Sequence, residues 1–159
     1  MCSSDLLVMN SGTLDLNGGD QTFTTIASTN LAPGQGGTVT SAAAANLIGN
    51  STSNSTFAGS IGGALNVYKT NTGALTLTGV SAFTGTTNVL GGTLQLQDSA
   101  TLASTTVNVN GGTLSFVNNG LSNVNARIAA TAAVNLSGGT IAVTGSNQVG
   151  SAVTLGSSG

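Results

Sequence analysis

The decapeptide TNVLGGTLQL, residues 87–96, decides the fold of this chain. It alternates apolar with other residues, breaks at a Gly pair, and resumes the alternation after Thr93. It returns as VNVNGGTLSF at 107–116 and VNLSGGTIAV at 134–143. With Ser11 in place of the first Gly it also reads LVMNSGTLDL at 7–16, and a further copy begins VTLGSSG at Val153. The copies thus start at Leu7, Thr87, Val107, Val134 and Val153. Partial copies fill the long gap after the first: GGTV at 36–39, GALNV at 63–67 and GALTL at 73–77.

A period of two sends alternate side chains to one face of a strand. The inward set is then Leu14 and Leu16, Leu75 and Leu77, Leu94 and Leu96, Leu114 and Phe116, Ile141 and Val143. Between them stand Asp15, Thr76, Gln95, Ser115 and Ala142, polar or small as an outer face requires. A unit of about 20 residues with short strands and tight corners is one coil of a solenoid. The expected fold is therefore all-β: a right-handed, single-stranded parallel β-helix of about six to seven coils. At about 4.8 Å per coil this makes a rod of roughly 30 Å. Stacking buries the Leu columns, each side chain contributing roughly 1.5–3 kcal/mol. A propeller would need longer, aromatic-rich repeats, and only 3% of this chain is aromatic. A flat antiparallel sheet competes less well with Gly-Gly corners at coil spacing.

Composition agrees. Of 159 residues 24 are Gly, 39% are apolar and only 4% are charged, against roughly 25% charged in an ordinary domain. Disordered chains combine low hydrophobicity with high net charge; here the net charge is -2. Thr, Val and Ile favour pleated surfaces, while Gly and Asn supply corners. The one helix-like run is SAAAANLI at 41–48, two turns at most. No apolar run reaches the roughly 18 residues of a membrane span, so no direct membrane insertion is expected. The small negative charge excludes nucleic acid as a partner. The opening MCSSDL, residues 1–6, resembles translated adapter DNA and is read as a non-native scar. Residues 7–159 are then a β-helix fragment cut at both ends, whose open strand edges invite end-to-end association.

The stretch STFAGSIGGALNVYKTNTGALTLTGVSAFTGTTNVLGGTLQL, residues 55–96, resembles the autotransporter-associated β-strand repeat, also called the passenger-associated transport repeat. The matching positions are Phe57, Gly59, Ile61, Leu65, Lys69, Gly73, Leu75, Leu77, Gly79, Gly85, Thr87, Val89, Gly92, Leu94 and Leu96. Asn71 stands where the pattern has Gly, Ser81 where it has Asn, and Phe83 where it has Tyr. The resemblance implies an extracellular passenger region, held at a Gram-negative outer membrane by a C-terminal barrel outside this fragment. It implies a structural stalk, open to a surface glycan or protein ligand. Lys69 fills the repeat's own Lys position, with its stem expected to cover apolar surface and its amine to stay wet.

No catalytic, cofactor-binding or metal residue is expected. The charged side chains are Asp5, Asp15, Asp20, Lys69, Asp98 and Arg127, and there is no His, Trp or Glu. β-Helical lyases and hydrolases need clustered carboxylates, whereas Asp20 and Asp98 sit at different offsets from their Leu pairs. They read as solvated loop carboxylates, and the sequence by itself does not point to what Arg127 pairs with. Without His there is no Ser-His dyad and no zinc site. The sequence Gly18-Gly19-Asp20 lacks the rest of a Ca²⁺ nonapeptide. The G-x-G at 34–36 lacks a phosphate-loop Lys and reads as a turn. Thr-x-Thr pairs at 22/24, 38/40 and 76/78 fall at uneven intervals, unlike an ice-binding rank. The alternative reading is the non-catalytic coils of a carbohydrate-active β-helix. Inward and outward assignments predict opposite outcomes at neighbouring positions. In thermal melts Leu94→Asp loses more than about 3 kcal/mol, because it buries an unpaired charge, while Gln95→Asp stays within about 0.5 kcal/mol of the parent.

Overall fold

The computed structural model describes residues 5–145 and the strand Val153–Leu155. The chain winds in rungs of three short strands. The first rung is β1 (Leu6–Val8), β2 (Thr13–Asp15) and β3 (Gln21–Phe23). The second is β4 (Thr25–Ala27), β5 (Thr38–Thr40) and β6 (Ala45–Asn50), and the third β7 (Ser55–Phe57), β8 (Ser60–Ile61) and β9 (Leu65–Thr70). The fourth is β10 (Ala74–Leu77), β11 (Val80–Ser81) and β12 (Thr86–Val89), and the fifth β13 (Thr93–Leu96), β14 (Thr101–Leu102) and β15 (Thr106–Val109). In the sixth, β16 (Thr113–Val117) and β17 (Ala133–Leu136) flank the single bridging residue Ile128. Strands β18 (Thr140–Thr144) and β19 (Val153–Leu155) follow.

Like strands of successive rungs pair, and each pairing is parallel. Three faces result. The third face is one unbroken sheet, β3-β6-β9-β12-β15-β17-β19. The first face runs β7-β10-β13-β16-β18, with the β1-β4 pair beside it; the Ser28 N–H donates to the Thr56 carbonyl at 2.8 Å across the join. The second face joins β2-β5-β8 to β11-β14 through the Ala82 N–H on the Ile61 carbonyl at 2.8 Å. This is a single-stranded parallel β-solenoid. Propeller blades and flat meanders, both antiparallel, are excluded.

The inward columns follow the alternation. Leu75, Leu94, Leu114 and Ile141 stack in register, as do Leu77, Leu96, Phe116 and Val143. On the third face Leu47, Val67, Thr87, Val107 and Val134 form another column. Nearly all are fully buried. Val143 keeps its place on Phe116 yet is 50% exposed, and Ile141 is partly buried. Ser115 holds an outward register position but is covered.

Two expectations are corrected. The unit at 7–16 does not share the column of the later copies. It turns the corner between the first and second faces, with Leu14 on Val39, whereas the unit at 87–96 runs from the third face to the first. Any Gly corner between alternating segments has this pattern, so similarity alone leaves the corner unassigned. Second, the helix-like run at 41–48 enters strand β6, with Ala45, Leu47 and Gly49 inward and Ala42, Ala43 and Ala44 at an exposed corner. Pairing on both sides, to β3 and β9, outweighs the helical preference of the Ala run. Of residues 1–6, read as a scar, Met1 to Ser4, including Cys2, lie outside the described residues. Leu6 pairs with Thr25 in the first rung.

The tight corner between the first two faces demands Gly. A Cβ on Gly59 would lie 2.3 Å from the Gly37 carbonyl oxygen and 2.5 Å from the Phe57 ring. At Gly62 the nearest atom would be the Thr40 hydroxyl at 3.7 Å. Urea titration will show Gly59→Ala costing about 1–3 kcal/mol by overpacking, and Gly62→Ala costing less than about 0.5 kcal/mol.

Candidate functional site

Two rungs are longer than the others, and both are expanded at the same corner. Residues 28–37 join β4 to β5, and residues 118–127 join β16 to Ile128. Between them the first-to-second-face corners are short, as at Ala58 and Gly59. The two loops therefore stand up on either side of three low rungs.

The upper loop is pinned by charge. Asp98 was expected to be a solvated carboxylate; it is only 4% exposed. Its Oδ1 accepts the Leu121 N–H and, at 3.4 Å, the Ser122 N–H. Arg127 is also buried. Its guanidinium donates to the Ala100 carbonyl at 2.8 Å, the Val117 carbonyl at 2.8 Å and Asn118 Oδ1 at 2.5 Å. Burial pulls its pKa down, and the Asp98 charge acts in the opposite direction. Asn118 further closes the loop with Val124, donating from Nδ2 to the carbonyl and accepting the N–H, each at 3.2 Å. Ala126, next to Arg127, holds a φ of 60°, a strained conformation for Ala that these anchors maintain.

Between the loops runs a groove of about 430 Å³. Its floor is the outward residues Thr56, Thr76 and Gln95, which stack in register on β7, β10 and β13. Thr78, Gln97 and Asp98 line its corner side, and Leu31 and Leu121 stand at its two ends. Both Leu side chains are exposed, at 53% and 83%. Gln95 Nε2 donates to Gln97 Oε1 at 2.9 Å. The Thr78 hydroxyl is buried and has no hydrogen-bond partner.

Lys69 contradicts the expectation of a wet amine. It is fully buried, in the inward column between Gly49 and Val89. The amine donates to the carbonyls of Thr70 at 2.6 Å, Asn71 at 3.2 Å and Gly91 at 3.5 Å. It thereby ties a corner of one rung to the next, and burial lowers its pKa.

The outer side of the third face carries an amide ladder. Asn135 donates to Asn108, and Asn108 to Asn88, each at 2.9 Å. Asn88 donates to Thr86, Thr86 to Asn66, and Asn66 to Asn46, at 2.9–3.1 Å. Asp20 ends the run, taking the Asn46 side chain and N–H at 2.8 Å each. These bonds hold its carboxyl below the usual range. Sequence reasoning missed this ladder; its local trace is the apolar-Asn-apolar triplets at 45–47, 65–67, 107–109 and 134–136, which Thr87 interrupts before Asn88.

The remaining candidates stay apart. Asp15 is exposed on β2 and bonds the Asn17 N–H at 2.9 Å. The Thr-x-Thr pairs begin on three different faces, at Thr22 on β3, Thr38 on β5 and Thr76 on β10. The Gly-rich 34–37 segment is a turn in the lower loop, with φ of 84° at Gly34 and 79° at Gly37. Among the described residues no three His, Cys, Asp or Glu side chains gather to hold a metal. No helix there is long and apolar enough to cross a membrane. No known protein family, curated protein or solved structure matches the chain.

The buried amine gives a pH dependence. The folded state disfavours charged Lys69, so the unfolded chain takes up this proton first as pH falls below 10.5. The stability linked to Lys69 is complete above that value and declines through the window beneath it. Subtracting the melts of Lys69→Met, which has no such proton, should reveal a wild-type term that rises as pH is raised toward 10.5.

Proposed function

We propose that this chain is a stalk segment of an exported bacterial surface protein, a spacer that displays other parts and performs no chemistry itself. The observation that carries this reading is the register of the repeat-like stretch. Its positions Phe57, Ile61, Leu65, Lys69, Leu75, Leu77, Thr87, Val89, Leu94 and Leu96 are all buried. They alternate around two successive turns of the solenoid. The autotransporter-like pattern thus has a physical meaning here: it writes out the inner wall of a rod.

Two further features support an extracellular setting. The only two basic residues, Lys69 and Arg127, are both buried. A protease that needs a basic side chain in its specificity pocket, as trypsin does, finds none exposed. A rod built by repeated addition to a template also suits a chain that emerges end first through a membrane. End-to-end stacking of copies belongs to the same proposal: Leu7, Leu14 and Phe23 of the first rung are only partly buried.

The test is display. Residues 7–159 are fused between a secretion signal and an outer-membrane barrel in a Gram-negative host, with an epitope tag ahead of residue 7. Antibody should label the tag on intact cells, and the segment should survive trypsin that cleaves a Leu94→Asp control. A tag retained inside the cell, or a wild-type segment cut as fast as the control, contradicts the proposal.

A further inference from the structure

We propose that the groove between the two corner loops binds a short run of a neutral polysaccharide. This places an adhesive site on the stalk and rests on the reading of the chain as an exposed surface segment.

The chemistry of the groove selects the ligand. Its volume of about 430 Å³ falls within the roughly 300–1,000 Å³ of ordinary ligand sites. The rungs bearing its two loops are four strand spacings apart, about 19 Å along the rod, so the site suits an elongated ligand. Its floor offers hydroxyls and amides from Thr56, Thr76 and Gln95 at one strand spacing each. These groups both donate and accept, and they match a ligand that carries hydroxyls at regular intervals. Gln95 and Gln97 already bond each other, which fixes their orientation before a ligand arrives.

Charge narrows the class. Among the described residues no cation lines the groove, so an acidic polymer finds nothing there to neutralise it. The one carboxylate, Asp98, is turned to the Leu121 and Ser122 N–H groups. A peptide is disfavoured for a different reason. The backbone groups of a sheet interior are committed to the ladder, so there is no open edge for an added strand. Leu31 and Leu121 project at the ends, where they can cover the C–H faces of sugar rings.

The test is calorimetric titration of the folded chain with maltohexaose, cellohexaose and N-acetylated chitohexaose. Oligogalacturonate and a Ser/Gly-rich peptide serve as acidic and peptide probes. At least one neutral hexasaccharide should bind, with a dissociation constant on the order of 1 mM or tighter. Gln95→Ala and Leu121→Ser should each weaken it at least about tenfold, while Thr52→Ala, on another corner, leaves it unchanged. Binding by none of the three sugars overturns the proposal, as does preference for either other probe, or equal binding by all variants. Melting curves run alongside show that each variant is folded. The stalk reading is scored separately by surface display: a silent titration on a displayed rod sinks the groove alone.

Discussion

Parallel strands stacked rung on rung can satisfy their backbone groups only if every rung repeats the path of the one below. That constraint governs the rest of the molecule. Each N–H and C=O points along the rod axis to a neighbour, so a rung that changes length must do so where it does not disturb the ladder. The inward side chains must also fit the same cross-section each time. Leu75, Leu94 and Leu114 meet that demand in one column. Polar residues enter the interior only with partners of their own, as in the 2.6 Å pair of Thr87 and Ser104 hydroxyls, or leave a deficit, as at Ser81 and Thr78.

The same constraint explains where variation is allowed. Both long insertions leave the ladder at the corner between the first and second faces and return to it in register. The lower loop rests on turns and backbone bonds, such as the Gly34 N–H on the Ala58 carbonyl at 2.7 Å. The upper loop is held by the Asp98 and Arg127 contacts. A stalk that adds loops at one corner gains surface features without altering its core, and the groove is the consequence. On the third face the spare hydrogen-bonding capacity is used along the axis, in the Asn ladder. Cross-strand pairs of this kind contribute roughly 0.2–1 kcal/mol each.

The rod itself was legible because its signal is local. Alternation around Gly-Gly-Thr and recurrence at coil length together imply strands, corners and stacking. The inward residues from Leu75 to Phe116 follow from parity alone. The corner used by residues 7–16 was not legible, since the first and third corners share one sequence pattern and only pairing with Val39 tells them apart. The wider interval between the copies at Val107 and Val134 announced the upper insertion, but partial copies between Leu16 and Thr87 obscured the lower one. The charged residues were misread for a common reason. Lys69 is buried because carbonyls of its own corner and of Gly91 in the next rung receive its amine, and Asp98 because the loop at Leu121 folds over it from the rung above. Such contacts have no local mark. Groove residues such as Thr76 and Gln95 were assigned outward correctly, but only the two flanking loops make them a site.

The register of stacking is the central claim, and it can be measured directly. Nitroxide labels at Thr76→Cys and Gln95→Cys, in a Cys2→Ser background, sit on paired outward positions of adjacent rungs, about 4.8 Å apart along the backbone. The continuous-wave spectrum of the double-labelled protein should be strongly broadened relative to the sum of the two singly labelled proteins. A spectrum equal to that sum would contradict the parallel stack.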